Sequence, residues 1–187
     1  PINVGEKGRM EVHIHIVGRG FHASQPWKAD NAIYKAEEVI RRIRNYEPEV
    51  SVDNAAFTDL KTLAGIDEPV TVDNLEEVLA KVDEVNPSLA SYLRAASRMT
   101  FVATMINAGV KSNSVAENCM ITCDVRSLPH QSPAYVQEQI ENLLSGVDGV
   151  RVEVINTAVS NASTYDSELA DHIMTATKKA IGRDDVE

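Results

Sequence analysis

The stretch from Met10 to Pro26 constrains the fold of this chain more than any other part of its sequence. In its first half, successive side chains would point to alternate faces. One face carries Val12, Ile14 and Ile16, and the other carries Glu11, His13, His15 and Val17. This alternation predicts a strand that buries one face in a core. The next residues, 18–21, include two glycines, which permit backbone angles that other residues avoid. The loop can therefore present His22 outward from a rigid strand, where an imidazole can donate hydrogen bonds or carry protons.

The pattern then continues as helix, insertion, strand, strand, helix and strand. The further strands are predicted over Met99–Ile106, Cys119–Val125 and Val150–Ile155. Asp30 is placed to cap a first helix over Asn31–Arg44, and Ser132 with Pro133 begins the second. This order predicts an α+β fold of the ferredoxin-like type, with a four-stranded antiparallel sheet and two helices on one face.

Two of these elements suggest how the surface is used. The first helix carries one apolar stripe, made of Ala32, Ile33, Ala36, Val39, Ile40 and Ile43. Met99–Ile106 and Val150–Ile155 would form the edges of the sheet, and the first of these strands is apolar on both faces. Such an edge predicts a homodimer in which the sheets of two copies pair about a two-fold axis.

Two segments fall outside the core order. Residues 46–98 carry short helical patterns, over Leu75–Val82 and from Asn86 to about Ala96, and are interpreted as a helical insertion. Residues 160–187 contain one more helix, about Ser167 to Ile181, whose apolar stripe has no place in the sandwich. Because the chain also begins without Met, we interpret it as a piece of a longer protein. Residues 5–159 would be one domain and 160–187 the start of another.

Composition narrows the possible partners. The formal charge of −10 and the aromatic content of only 5% argue against a nucleic-acid surface. No apolar run is long enough to span a membrane, and no secretory signal pattern is present. Cys119 and Cys123 fall on one face of a predicted strand, roughly 13 Å apart, which is too far for a disulfide. They predict buried thiols in a cytoplasmic protein.

A few polar side chains could carry chemistry. His13 and His15 could chelate zinc if a third ligand were near, but two polar residues on an exposed sheet face is the favoured interpretation. Arg126 offers a planar fork for a carboxylate and Asn113 an amide that both donates and accepts. From the residues alone, His22 could equally have no role, and Arg126 could simply pair with Asp124 on the surface.

Several motifs in combination resemble one known domain. They are Gly-Glu-Lys-Gly at 5–8, Gly-Arg-Gly-Phe-His-Ala-Ser-Gln-Pro at 18–26, Asn-Ala-Ile at 31–33, Asn-Ser-Val-Ala at 113–116 and Cys-Asp-Val-Arg at 123–126. Together they resemble the dimerisation or lid domain of the zinc aminoacylase and carboxypeptidase family of metallopeptidases. That family includes acetylornithine deacetylase, succinyl-diaminopimelate desuccinylase and glutamate carboxypeptidase. The resemblance covers residues 5 to about 159, apart from the insertion 46–98.

The resemblance implies a role for three residues. His22 would enter the active site of the partner subunit and stabilise the oxyanion of the tetrahedral intermediate. Asn113 and Arg126 would bind the substrate, and Arg126 would do so by contacting the free carboxylate of the substrate. Ala116 stands where the family usually has Pro, and the insertion is longer than in the plainest members, so the resemblance does not carry over a substrate class.

The resemblance also implies metals that this chain does not hold. Two zinc or cobalt ions would be bound by a separate catalytic domain, and the sequence lacks the ligand motifs for such a pair. We therefore expect the fragment alone to be inactive and to hold no metal. Its parent would be a metal-dependent hydrolase that cleaves an amide bond of an acyl-amino acid or peptide carrying a carboxylate. The alternative is a free-standing ferredoxin-like regulatory domain that dimerises and binds a small amino acid.

Overall fold

The centre of the molecule is a four-stranded antiparallel sheet in the strand order β3–β4–β2–β5. A computed structural model describes residues 5–58, 60–164 and 166–183. The sheet consists of β2 (Arg9–Val17), β3 (Thr100–Ala108), β4 (Asn118–Arg126) and β5 (Val150–Ala158). A separate two-stranded sheet pairs β1 (Gly5–Glu6) with β6 (Asn161–Ala162). The helices are α1 (Ala32–Arg44), α2 (Leu60–Ala64), α3 (Leu75–Val85), α4 (Pro87–Ala96), α5 (Pro133–Leu144) and α6 (Glu168–Ile181).

Two helices, α1 and α5, cover one face of the large sheet and enclose the main core. The buried strand residues alternate as the sequence predicts, at Met10, Val12, Ile14 and Ile16 of β2 and at Cys119, Ile121, Cys123 and Val125 of β4. From the helices, Ala36, Val39, Val136 and Ile140 complete this core. The strand order and the two helices on one face confirm the predicted ferredoxin-like α+β fold.

The first helix differs from its prediction in two details. Its N-cap is Asn31, whose side-chain oxygen accepts a hydrogen bond from the Ile33 N–H at 3.0 Å, so the assignment of the cap to Asp30 was wrong. Asp30 instead pairs with Arg19 through the backbone and with Lys35 through its carboxylate. The helix buries Ala32, Ala36, Val39 and Ile43. This orientation leaves Ile33 45% and Ile40 36% exposed, outside the core.

The antiparallel register gives the sheet two distinct ends. The Val17 end comprises Val17, Ala108, Asn118 and Val150, and the Arg126 end comprises Arg9, Thr100, Arg126 and Ala158. The helix α1 starts at the Val17 end because it follows β2, and it ends near the opposite end. The small β1–β6 sheet adjoins the Arg126 end, because β1 precedes Arg9 and β6 follows Ala158.

Residues 46–98 contain a second hydrophobic core. It is built by Phe57, Leu60, Leu75, Val78, Leu79, Val82, Ala90 and Leu93. The segment leaves and rejoins the main fold at paired positions, because Val50 bridges Arg98 and the Ser51 N–H donates to the Ser97 carbonyl at 2.8 Å. The predicted helices at 75 and 87 are both present, and Asn86 caps the second through its side chain. Since Arg98 is followed by β3, this segment adjoins the Arg126 end of the sheet.

The last helix has the predicted bounds but little packing. Ser167 caps α6 through its side chain, and Gly182 ends it with a left-handed backbone. Leu169 is 70% exposed and Ile181 is 52% exposed. Of the predicted segment 160–187, residues 165 and 184–187 lie outside the described ranges. Within the described ranges, no helix combines the length and apolar character needed to cross a bilayer.

Candidate functional site

Two loops at the Val17 end bring His22 and Asn113 together. The Ala23 N–H donates to the Asn113 carbonyl at 3.0 Å, and the Val115 N–H donates to the Phe21 carbonyl at 2.8 Å. Between these bonds, His22 and Ser114 form an antiparallel bridge. Both the His22 and Asn113 side chains belong to exposed residues. The pairing holds the two loops side by side, with Ser114 opposite His22 and Asn113 opposite Ala23, on a surface that a ligand can reach.

Glycine makes the approach of these loops possible. A Cβ at Gly18 would collide with the Asp30 carbonyl oxygen, so only glycine lets the strand end pass this close to the start of α1. Gly109 turns the chain after β3 with a φ of 72°, in the left-handed region. The loop that carries Asn113 begins at this turn. The sequence pattern predicted both turns, but not that the two loops would bridge.

Ser24 determines which imidazole nitrogen of His22 can donate. The Ser24 N–H donates to His22 Nδ1 at 3.2 Å, and the Ser24 hydroxyl lies 2.8 Å from the same nitrogen. A nitrogen that accepts a backbone N–H carries no proton in the neutral ring, so the proton is on Nε2. We infer this tautomer from the hydrogen-bond pattern. His22 therefore presents an Nε2–H donor to the solvent side of the loop.

Arg126 lies at the opposite end of the same sheet. It follows Asn118 by eight residues along β4, which separates the two ends by roughly 27 Å. Its guanidinium pairs with Asp124, from Nε to Oδ1 at 2.6 Å and from Nη2 to Oδ2 at 3.2 Å. The structure therefore brings together only two of the three site residues expected from the sequence, and Arg126 is remote from His22 and Asn113 within one chain.

Asp124 is shared between two arginines. Arg9 Nε also lies 3.2 Å from its Oδ2 atom. Hydrogen bonds from Arg126, and to a lesser extent from Arg9, hold the pKa of the Asp124 carboxyl below its usual value. The carboxylate stays ionised and orients the Arg126 fork, while Nη1 of Arg126 has no hydrogen-bond partner among the described residues. This nitrogen is available to an incoming carboxylate.

His13 and His15 lie on the sheet face opposite the helices, each beside a carboxylate. His13 Nε2 is 3.2 Å from Glu11, and His15 Nε2 is 2.8 Å from Glu153. The two ring centroids are 6.2 Å apart. Across 5–58, 60–164 and 166–183, no three His, Cys, Asp or Glu side chains converge as metal ligands would. The residues present do not fit a zinc site at this face.

A groove of about 530 Å³ opens beside the paired loops. Its walls include His15, Asn107, Val110, Glu117, Asn118 and Arg151. The Asn113 loop, through residues 114–118, forms one side of it. The groove reaches Ser114, which bridges His22, but neither His22 nor Asn113 lines it, so it adjoins the paired loops without including the two predicted site residues.

Sequence reasoning named Asp124 only as an alternative surface partner of Arg126, and it missed Ser24 and Lys7 as supporting residues. Ser24 and Asp124 each stand two positions from a predicted site residue, and on a strand two positions apart means the same face. That spacing was a usable signal for Asp124. Lys7 had no signal of this kind, because its contacts are with Ala95 and Arg98, far away in the chain.

Comparison with known proteins matches this chain to one family. The sequence model of a family described as "Peptidase dimerisation domain" matches residues 4–150. A probable succinyl-diaminopimelate desuccinylase of Staphylococcus aureus strain Mu50 is 24% identical over 153 residues, which is 82% of this chain and 34% of that protein. The protein of the same description from strain MRSA252 is 22% identical over 187 residues, covering 99% of this chain and 42% of its own length.

Solved structures show the same fold. An M20 family metallo-carboxypeptidase from Sulfolobus solfataricus superposes with a TM-score of 0.68 at 15% identity, over 96% of this chain and 44% of that one. A di-peptidase from Saccharomyces cerevisiae gives a TM-score of 0.60 at 12% identity, over 96% and 42%. The chain thus spans less than half the length of each of these proteins.

Proposed function

Since this chain belongs to the family of peptidase dimerisation domains, we propose that it is the dimerisation lid of a metal-dependent hydrolase. The parent would cleave an amide bond of an acyl-amino acid or peptide that carries a free carboxylate. One observation carries the proposal: His22 and Arg126 lie at opposite ends of one sheet. Two copies related by a two-fold axis can bring these ends together.

The connections to the rest of a parent protein lie at the Arg126 end. Residues 5–6 and 161–162 pair there in the small β1–β6 sheet, so the chain approaches and leaves the large sheet at one place. A catalytic domain joined through this ribbon would lie near its own Arg126. The His22 loop, at the far end, would be out of its reach. His22 would then act on the partner's catalytic centre and Arg126 on its own.

The free edge of β3 is the surface through which two copies would pair. Val102, Met105 and Ile106 are 51%, 64% and 54% exposed on this edge. Pairing β3 with its symmetry mate in antiparallel fashion extends the sheet to eight strands. The two-fold axis places the Val17 end of one copy beside the Arg126 end of the other. This geometry supports the transfer of His22 across the interface.

One flank of α1 would extend that interface. Lys35 and Arg42 face the side of α5, where Arg42 donates to the Leu143 and Ser145 carbonyls and Lys35 to the Val17 carbonyl. Ile33 and Ile40 lie on the opposite flank of the helix, because helical residues two or five apart point to opposite sides. That flank adjoins β3, on which α1 packs. The exposed isoleucines therefore continue the apolar surface of the β3 edge.

Each composite site would combine three groups. Arg126 of one copy would hold the substrate carboxylate through its free fork edge. Asn113 and His22 of the other copy would meet the scissile amide from the opposite side. As a nucleophile attacks the carbonyl, negative charge develops on its oxygen, and the Nε2–H of His22 would donate to it. The donor is preoriented by Ser24, so little reorganisation accompanies the reaction.

The metals expected for such a parent would be held outside this chain. The described residues bring together no cluster of three metal ligands. The proposed contribution of this chain is limited to binding the substrate, orienting it and donating a hydrogen bond.

A mixing experiment with two inactive full-length variants tests this arrangement. His22→Ala should lower turnover by about 10²–10³, the usual effect of removing one oxyanion donor. Arg126→Ala should raise KM strongly, so this variant is nearly inactive when the substrate concentration is kept well below its KM. In a mixed dimer, the His22→Ala chain keeps its own Arg126 and receives His22 from its partner, so one site is complete. With equal amounts and free exchange, activity should return to about a quarter of the wild-type value, since about half of the dimers are mixed.

The double variant His22→Ala/Arg126→Ala provides the control. Mixed with wild-type chains it forms dimers in which each site lacks one of the two groups, so mixed dimers should be inactive. Subunit exchange is verified by differently tagged chains. If the two single variants exchange subunits and activity does not return, the trans role of His22 or the cis role of Arg126 is wrong.

A further inference from the structure

Lys7 crosses the Arg126 end of the sheet. Its Nζ donates to the Ala95 carbonyl at 2.8 Å and to the Arg98 carbonyl at 2.7 Å, both at the close of the 46–98 segment. The next residue, Gly8, exchanges backbone hydrogen bonds with Ser127, which directly follows Arg126. The lysine stem therefore runs past the end of β4 toward the start of β3. An ammonium has three N–H donors, so one remains after the two carbonyls.

Lys7 differs from the arginines around it in its ion pairing. Lys7, Arg9, Arg94, Arg98 and Arg126 lie at this end, and the four arginines form ion pairs with the carboxylates of Asp124 and Glu76. Asp124 is shared by Arg9 and Arg126, and Glu76 by Arg94 and Arg98. Lys7 itself has no carboxylate within ion-pair distance in the described part of the chain.

The lysine ammonium is destabilised by this setting. Burial, followed by repulsion from Arg126, lowers the pKa of Lys7 to about 8. The neighbouring acids remain ionised there, because hydrogen bonds from Arg126 lower the pKa of Asp124 and a hydrogen bond from Arg98 lowers that of Glu76. Other ionisable residues on adjoining segments include Glu6 and His130, both exposed, and Glu49, which accepts a hydrogen bond from the Tyr135 hydroxyl at 3.1 Å. The repulsion between Lys7 and Arg126 is what an added anion would relieve.

We propose that Lys7 is a second cation for the carboxylate that Arg126 binds, so that substrate binding is coupled to the protonation of Lys7. This inference rests on the proposed function of Arg126. The third N–H of Lys7 would donate to the bound carboxylate, while its other two bonds keep the 46–98 segment against the sheet. Because the same ammonium would contact both, Lys7 would couple the occupancy of the carboxylate site to the 46–98 segment.

The sign of the pH dependence follows from linkage. A bound carboxylate stabilises the charged ammonium, so the complex holds more protons than the free protein. Affinity is therefore full below the free-state pKa of about 8 and falls as the pH rises through it. For the full-length enzyme, KM of a carboxylate substrate should rise several-fold between about pH 7 and about pH 9, with kcat changing much less.

Two substitutions and a matched substrate pair test this in the full-length enzyme. Lys7→Met should raise KM about tenfold at neutral pH and abolish its rise with pH. Lys7→Arg should retain a low KM but also lose the rise, because arginine stays charged. The matching substrate with a carboxamide in place of the carboxylate should show no difference among the three enzymes. A purely structural clamp would instead affect both substrates equally.

A measurement on the unsubstituted 187-residue chain guards against a folding defect in the variants. The Lys7 side chain is titrated by NMR with and without an acetylated amino acid, and its pKa should rise when the ligand is present. An unchanged Lys7 titration at saturating ligand, or an unchanged pH profile in Lys7→Met, would overturn the proposal. The proposed function is tested separately by Arg126→Ala. If that variant keeps a wild-type KM, it is the role of Arg126 that fails.

Discussion

At the scale of single residues, the arrangement of the site depends on short-range pairs and on one long-range meeting. His22 is oriented by Ser24, and Arg126 by Asp124, each two positions away. Such pairs are readable from spacing once an element type is known. The meeting of His22 with the Asn113 loop is different, because the bridge joins residues about ninety positions apart. No local pattern encodes such a contact, and the resemblance to a family was needed to select these residues from the sequence.

Ser24→Ala should shift the tautomer of His22. In the unsubstituted chain, the ¹⁵N shifts of the ring should show the Nε2–H form as the major neutral species. Removing the Ser24 hydroxyl leaves only the 3.2 Å backbone bond to Nδ1, so the Nδ1–H form should gain population. In the full-length enzyme, turnover should fall by a few-fold, less than for His22→Ala. The control is Ser112→Ala, an exposed serine in the neighbouring loop, which should leave the ring unchanged. Equal tautomer populations in the unsubstituted chain would contradict the orientation that we infer.

At the scale of elements, apolar periodicity locates helices and strands well but does not say what covers them. The predicted stripe of α1 included Ile33 and Ile40, which the helix leaves exposed beside β3. A core face and an interface face are both apolar, so one sequence cannot separate them. The same holds for β3, apolar on both faces. The second core within 46–98 also escaped prediction, because it depends on how α3 and α4 pack.

Ile33→Asp should weaken the dimer without weakening the fold. Ile33 is the second residue of α1, where a carboxylate suits the positive end of the helix dipole. It would nevertheless place a charge on the flank that we assign to the interface. Light scattering over a dilution series should show dissociation at a concentration at least about tenfold higher than in the unsubstituted chain.

Leu169→Asp is the matched control for this prediction. Leu169 is likewise an exposed aliphatic residue at the second position of a helix, α6, and lies outside the proposed interface. It should leave the dimer intact. If both substitutions dissociate the dimer equally, or neither does, the α1 flank is not part of the interface.

At the scale of the whole molecule, the order of elements was enough to predict the fold, because few topologies satisfy that order. The location of His22 and Arg126 at opposite ends of the sheet was not predicted, because it depends on both strand direction and register. Charge behaves similarly. The net charge of −10 can be read from the sequence, whereas the sharing of Asp124 by Arg9 and Arg126 appears only in the folded chain.

The isolated chain should bind no catalytic metal pair and hydrolyse no acyl-amino acid. The described residues provide no cluster of three ligands, and the groups proposed for the substrate require a second copy. Elemental analysis after incubation with zinc and extensive dialysis should find far less than one ion per chain. The full-length parent, treated identically, is the control. Two tightly held zinc ions in the isolated chain would show that the lid interpretation is wrong.

The paired strands β1 and β6 have a mechanical consequence. Both covalent connections to the large sheet run side by side as a hydrogen-bonded ribbon, at Gly5–Glu6 and Asn161–Ala162. A ribbon of two strands bends more easily out of the plane of its strands than within that plane. Any swing of the sheet relative to what the ribbon joins therefore has one soft axis. Displacement would be greatest at the Val17 end of the large sheet, which is farthest from the ribbon, and that end carries His22.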